Sequence, residues 1–444
     1  MQLQDNDITK QFYRYLWAYI LVALSGCLGN VVDGIIVGNL ISEDGVSAIN
    51  LSKPINQFIF TLHLLINAGA GMLVAYSLGQ KKIDDARRFF TRALSLSLGL
   101  GLLLAIVAGL MFPHQTARLL CSNEQILPLA QDYMRVLLIG NPAFILMWGL
   151  STMVGVDGSP KLVSLAVIID NSVNLLLDIV FIQLFGWGIM GSSAATVVGH
   201  LVGIAILLTH WRNPENRRLV PVFSTDGLAA SLKRIISQGA PLAVASICLT
   251  LLLLSANTIV LSTTGRTGIF VFALCMNLLQ VYNLFISGTC QTLQSLGAIQ
   301  VGKNDDEGLR TVIKRAFRFI TMAMVITCVL VWIFPHRIAR LFGCDELDML
   351  TQSVHALRVF ALSFIPFCYI YVLMIVYKLY SHHRMALFIS FALSLTVIPV
   401  LWLMSRLLPQ YIWHSYLIAY MIEAVILFAL HKGRNIQFQL THKS

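Results

Sequence analysis

Four carboxylates fall where a long apolar helix would bury them: Asp33, Asp170, Asp178 and Glu423. An ionisable group inside an apolar span is costly, so each is a functional candidate by default. Asn174 lies four residues before Asp178, and Asp170 four before that, so the three share one face of a helix. Asp33 and Asp178 supply carboxylates, Asn174 an amide oxygen and Thr196 a hydroxyl. Such a hard, oxygen-rich set suits a proton or a weakly held Na⁺ alike. Two neighbouring carboxylates in a low dielectric do not both stay charged, so the pair takes a proton or a cation. His63 and His200 also sit in apolar runs and are, with Asp170 and Glu423, candidates for an accessory relay. The plain alternative for each of these groups is an interhelical hydrogen bond, and for a lone histidine it is the commoner outcome.

Catalytic signatures are missing. There is no HExxH, no GxSxG elbow and no P-loop. The expectation is therefore a protein that is not an enzyme, binds no ATP by that route and uses no cofactor beyond a coupling ion. The eight cysteines include no CxxC pair and give no metal or disulfide framework.

The elements that must position these groups follow from composition. Of 444 residues, 57% are hydrophobic and only 12% charged, about half the usual charged share. Too few charges remain to cover a water-facing surface, which excludes a soluble enzyme, a nucleic-acid-binding protein and a disordered scaffold. The polar, acid-bearing start MQLQDNDITK gives no signal-peptide pattern. About twelve stretches reach the roughly 20 residues of a bilayer-crossing helix: 15–40, 54–78, 91–113, 127–154, 161–185, 188–211, 235–261, 268–296, 317–334, 354–380, 385–408 and 411–430. With the N-terminus inside, alternation puts 23 Lys and Arg on the cytoplasmic side and 8 on the other. That bias predicts an even number of spans with both termini cytoplasmic. It also accounts for the net charge of +10 without a nucleic-acid partner.

Depth then groups the candidates. Asp33 and Asp178 each lie seven residues before the outer end of an outward-running span, and Thr196 eight after the start of an inward-running one. At a rise of about 1.5 Å per residue, the three share a layer roughly 10–12 Å below the outer surface. Asn174 is one turn deeper and Asp170 one turn deeper again.

The chain also repeats itself. FPHQTARLL at 112–120 is answered by FPHRIARLF at 334–342, and LGQKKIDDARRFFTRA from Leu78 by VGKNDDEGLRTVIKRA from Val301. GNPAF at 140–144 aligns with FIPFC at 364–368 through its proline. Each half holds about six spans. The fold class is therefore an all-α polytopic membrane protein with two pseudo-symmetric six-helix lobes. The expected division is an N-lobe at 1–211, a polar linker at 212–230 and a C-lobe at 231–444.

At these residues the sequence resembles the multidrug and toxic compound extrusion (MATE) family of antiporters, and within it the DinF-like branch. The resemblance runs through VVDGIIVGNL (31–40), AGAGMLVAYSLGQKKIDDARR (68–88), GVDGSPK (155–161), NSVNLLLDIVFI (171–182) and GWGIMGSSAAT (186–196). It implies a V-shaped pair of lobes with a central cleft. It implies export of small organic, often cationic or amphipathic, compounds across the bacterial inner membrane against an inward H⁺ or Na⁺ flow. The branch's coupling-ion motif falls on Asp33, Asn174, Asp178 and Thr196. The expected partners are these small molecules and the lipid bilayer, with no nucleic acid, and the expected state is a monomer. The chain departs from the pattern at Ala18, where many relatives carry a proline linked with bending, although Ser25, Gly26 and Gly29 would permit a bend. It also lacks the acids that another branch uses in spans 7 and 10; Asn257 is the uncharged counterpart of Asp33. The alternative reading is a flippase for lipid-linked precursors or polysaccharides in the same superfamily. Its polyanionic cargo calls for cationic cleft residues and often extra spans, and neither is present.

Overall fold

The computed structural model describes residues 2–41, 43–121, 124–213, 218–224, 226–341 and 347–433, and among them there are helices and short connections but no strand. Among the described residues eleven helices are long and apolar enough to cross a membrane, or twelve if the bent pair Leu127–Ile139 with Asn141–Val156 is counted as one span. The chain divides into two compact units, one of Trp17–Ala240 and another of Met1–Leu16 with Pro241–Ser444.

α1 (Gln2–Leu40) is a single 39-residue helix; its residues up to Leu16 belong to the second unit, and the first unit opens within it at Trp17. The second span is built from α2 (Glu43–His63) and α3 (Gly69–Gly79), joined through a π-helical turn at Leu64–Ala68. The third is α4 (Ile83–Leu104), followed by the short α5 (Pro113–Leu120). The fourth, α6 (Leu127–Ile139) and α7 (Asn141–Val156), is bent by 47° rather than running as one helix over 127–154. Pro142 has no N–H to give to the preceding turn, so the ladder breaks there. Gly140 lets the break pack closely: a Cβ there would lie 2.1 Å from Val197 Cγ2. The unit's last two full spans, α8 (Pro160–Ile179) and α9 (Gly188–Leu208), form an antiparallel hairpin.

The second unit takes most of α10 (Leu228–Thr292), which is two spans joined at Gly265, where φ is +66°. It continues through α11 (Ala298–Gly302), α12 (Asp306–Ile333), α13 (Pro335–Leu341) and α14 (Leu347–Leu379). It ends with α15 (His383–Leu395), α16 (Val397–Leu407) and α17 (Ser415–Gly433).

The internal repeat is written into the backbone. Lys81, Gly158, Asn304 and Ser381 all have positive φ. Each closes a helix with the same pair of hydrogen bonds, for example Lys82 N–H to Ser77 O (3.0 Å) with Lys81 N–H to Leu78 O (3.1 Å). The counterparts are Asp305 N–H to Gln300 O (3.0 Å) with Asn304 N–H to Val301 O (3.1 Å), and the turns at Gly158 and Ser381 follow suit. These are left-handed Schellman caps, which satisfy the last carbonyls of a helix. Lys81 pairs with Asn304 and Gly158 with Ser381, both at a spacing of 223 residues. The two prolines behave differently: α14 runs on through Pro366, whereas the first unit breaks before Pro142. The counterpart of Gly140 is Phe364, a buried ring packed on Tyr282 at 4.7 Å.

Candidate functional site

The α8–α9 hairpin turns on Gly186, whose φ of +67° is left-handed and so favours glycine. The Trp187 N–H donates to Phe181 O (2.9 Å), and the rings of Phe181, Phe185 and Trp187 cluster around the turn. Along α9, Gly191, Ala195, Gly199 and Gly203 recur every four residues, one narrow stripe of small side chains. A Cβ on Gly199 would meet Asp170 Oδ1 at 2.7 Å and the Asp170 carbonyl oxygen at 2.8 Å. The stripe therefore lets α8 approach α9 closely along the face that carries its polar groups.

On that face Asp170, Asn174 and Asp178 occupy successive turns, and all three are buried. Asn174 Nδ2 donates to Thr196 Oγ1 (3.1 Å), and Thr196 Oγ1 donates to Ser192 O (3.1 Å). This orients the Asn174 Oδ1 as an acceptor and leaves the hydroxyl oxygen a lone pair. Asp178, one turn nearer the hairpin end, is fully buried. Asp170 is paired with His200, whose Nδ1 lies 2.8 Å from Oδ2 and 3.0 Å from Oδ1.

Asp33 lies in the last third of α1, and its side chain is outside the described residues. Backbone register still places it. Asn171 Nδ2 donates to Ser25 Oγ (2.9 Å), and a Cβ on Gly29 would lie 3.1 Å from Asn171 Oδ1. Alternating spans run α1 and α8 in the same direction. Advancing one turn on each from the Gly29–Asn171 contact puts Asp33 level with the stretch between Asn174 and Asp178.

The remaining candidates lie elsewhere. His63 is buried beside the π turn, with Nδ1 3.3 Å from Asn67 Nδ2 and its ring 5.3 Å from Trp148. Ser97 Oγ donates to Asn67 Oδ1 (3.1 Å), so this is a separate polar knot. Glu423 belongs to the other unit, buried on α17, and neither of its carboxylate oxygens has a hydrogen-bond partner among the described residues. Lys378, near the end of α14, is buried too, and its Nζ has no hydrogen-bond partner among the described residues.

Sequence reasoning also missed a fixed polar assembly at the other end of the first unit. Asp157 is fully buried, with His210 Nε2 3.0 Å from Oδ2 and Arg218 Nε 3.2 Å from Oδ1. Residues 218–224 and Asp226 are strapped down beside it. Arg87 Nε donates to Arg218 O (2.8 Å), Val222 N–H donates to Thr91 Oγ1 (2.8 Å) and Trp211 Nε1 donates to Leu219 O (2.7 Å). The Arg92 guanidinium donates to the carbonyls of Ser224 and Asp226 and to Ser231 Oγ. The signal available in sequence was the helix-stopping turn VDGSP around Asp157, but not its partners.

Because a Gly199 Cβ would strike a backbone oxygen as well as the Asp170 carboxylate, Gly199→Ala should cost about 1–3 kcal/mol, the usual range for overpacking. A lowered thermal midpoint of the purified protein checks this; an unchanged midpoint would mean the helices have room to part.

The MatE family profile matches residues 18–180 and 241–403, one stretch in each half. Multidrug export protein MepA of Staphylococcus aureus is 24% identical over 414 residues, covering 92% of this chain and 90% of that protein. In architecture, a MOP superfamily transporter from Pyrococcus furiosus matches with a TM-score of 0.85 at 20% identity over 96% of each chain. A MATE structure in a bent conformation reaches 0.87 at 20% identity, over 98% of this chain and 96% of that one. One family profile thus accounts for both repeats of a two-unit fold with eleven or twelve candidate spans among the described residues, and the chain belongs to the MATE family of multi-pass membrane transporters.

Proposed function

We propose that the protein is a cation-coupled antiporter. It exports organic, cationic or amphipathic compounds across the cytoplasmic membrane while H⁺ or Na⁺ flows inward. Both termini and the 218–226 strap lie on the cytoplasmic side in this reading, and the transporter works as a monomer. The observation that carries it is the α8–α9 face, where a fully buried Asp178 follows the hydrogen-bonded Asn174–Thr196 pair, at the level that register assigns to Asp33. Full-length similarity to multidrug export proteins supports the cargo class.

In the outward-open state an ion reaches Asp33 and Asp178 from the hairpin end, and Asn174 and Thr196 complete an oxygen shell. Charge repulsion between α1 and α8 is then relieved, and α1 repacks against Asn171. That state releases the cargo, and the return step delivers the ion to the cytoplasm. The ion drives the cycle only by binding one conformation more tightly than the other.

The test places the purified protein in liposomes and imposes Na⁺ and pH gradients separately. Export accelerated by one of the two gradients supports antiport. Export that ignores both gradients overturns it.

A further inference from the structure

Asp170 and His200 form a pair that the oxygen cluster does not use. Their side chains are 6% and 12% exposed. The His200 ring is held edge-on by Phe144, with centroids 4.3 Å apart. Its Nδ1 faces the carboxylate at 2.8 Å, while its Nε2 is buried with no hydrogen-bond partner among the described residues. A ring nitrogen that faces a carboxylate carries the proton, so the other nitrogen is a bare lone pair.

The charge arithmetic then points one way. With one proton, on Nδ1, the pair is a carboxylate and a neutral imidazole, net −1 in apolar surroundings. A second proton, on Nε2, brings the pair to net zero and removes an uncompensated buried charge. The helices packed around His200 bring few other charges. Asp170 and Asp178 come from α8, while His63 lies beyond Phe144 and Trp148. The basic residues of α6 and α8, Arg135 and Lys161, are exposed, and Asp132 of α6 is half-buried. A metal cation is a poor substitute, because Nε2 would be a single ligand. Among the described residues no group of three His, Cys, Asp or Glu could hold a metal ion.

We propose that the Asp170–His200 pair is a second ion site of this lobe, specific for a proton, which loads at Nε2 and is released in each transport cycle. The inference rests on the antiport reading and extends it. Whichever ion the Asp33–Asp178 cluster takes, export also carries one proton through this pair.

The experiment is a reversal measurement in proteoliposomes with ethidium as the cargo. The ethidium ratio at zero net flux is recorded against ΔpH at fixed Na⁺, and against the Na⁺ gradient at fixed pH. Such a ratio reports ions moved per cargo and is independent of rate, so a purely structural defect does not move it. His200→Gln and Asp170→Asn should each lower the pH slope by one proton per ethidium and leave the Na⁺ slope unchanged. Unchanged pH slopes in both variants overturn the proposal. A wild-type ratio that follows Na⁺ alone overturns it while antiport stands, and a ratio that follows neither ion sinks both. Asp178→Asn should alter only the contribution of the oxygen cluster. Should the variants not fold, ¹⁵N-histidine NMR of the unaltered protein decides. The ring held by a carboxylate through Nδ1 is distinguishable from His210, which is held through Nε2. That ring should be seen with Nε2 both bare and protonated as the medium is acidified; a ring whose Nε2 never gains a proton overturns the proposal.

Discussion

Asp178→Asn should slow gradient-driven export by roughly 5- to 150-fold, the range spanned by typical coupling free energies. The substitution keeps the size of the side chain and its capacity for hydrogen bonds, and removes only the charge. Asp178 is fully buried one turn from the Asn174–Thr196 pair, so no water shell replaces the ion once the carboxylate is gone. Without the ion's differential binding, the gradient no longer biases one conformation. Cargo binding should persist, because the cargo need not touch this face. Initial export rates in liposomes, with and without a gradient, measure the effect, alongside a thermal midpoint that shows the fold intact. Asn174→Ala should give a smaller loss, since it removes an oxygen and a hydrogen bond but no charge. A variant at position 178 that exports at the wild-type rate would remove the α8 face from the mechanism.

The second large effect is on stability. Replacing both His210 and Arg218 by alanine leaves the Asp157 carboxylate in the protein interior with neither of its side-chain partners. Stripping the partner from a buried charge typically costs about 3–5 kcal/mol. Arg218→Ala alone should cost far less, about 0–1 kcal/mol, because that side chain is 51% exposed and its ion pair is screened by water. The control is Asp157→Asn in the double-alanine background. If uncompensated charge is the cause, this third change restores much of the lost midpoint; if cavity formation dominates, it restores nothing. Unfolding of the detergent-solubilised protein, followed by heat or denaturant, separates the two.

Much of this architecture is legible in the sequence, and the illegible parts have physical reasons. The spans follow from long apolar runs, and the repeat from polar turn residues that survive in both halves. Periodicity alone places Asp170, Asn174 and Asp178 on one face. Pairing is harder. Asp170 and His200 stand out separately, but joining them requires knowing that the Gly199–Gly203 stripe faces α8 rather than another neighbour. The bend before Pro142 needs the same kind of knowledge. Pro366 occupies the matching position in α14 without ending it, and the difference is a glycine against Val197 in one lobe and a phenylalanine in the other. Segment 211–227 reads as a loose, polar connector. Within it Arg218 and Ser224 are held by arginines more than 130 residues away in sequence, a contact that local patterns do not announce.

Those arginines have a second life. Arg87, Arg92 and Arg218 count towards the basic excess from which cytoplasmic termini are expected. In the folded chain Arg87 and Arg92 bind backbone carbonyls of the strap, and Arg218 is held by Asp157. The clasp cannot close until residues 218–231 have been made, after the whole of residues 1–211. The same guanidinium groups thus serve twice: they add to the charge bias expected to orient the spans, and they tie residues 218–231 back to α4 and Asp157 once the first half of the chain is made.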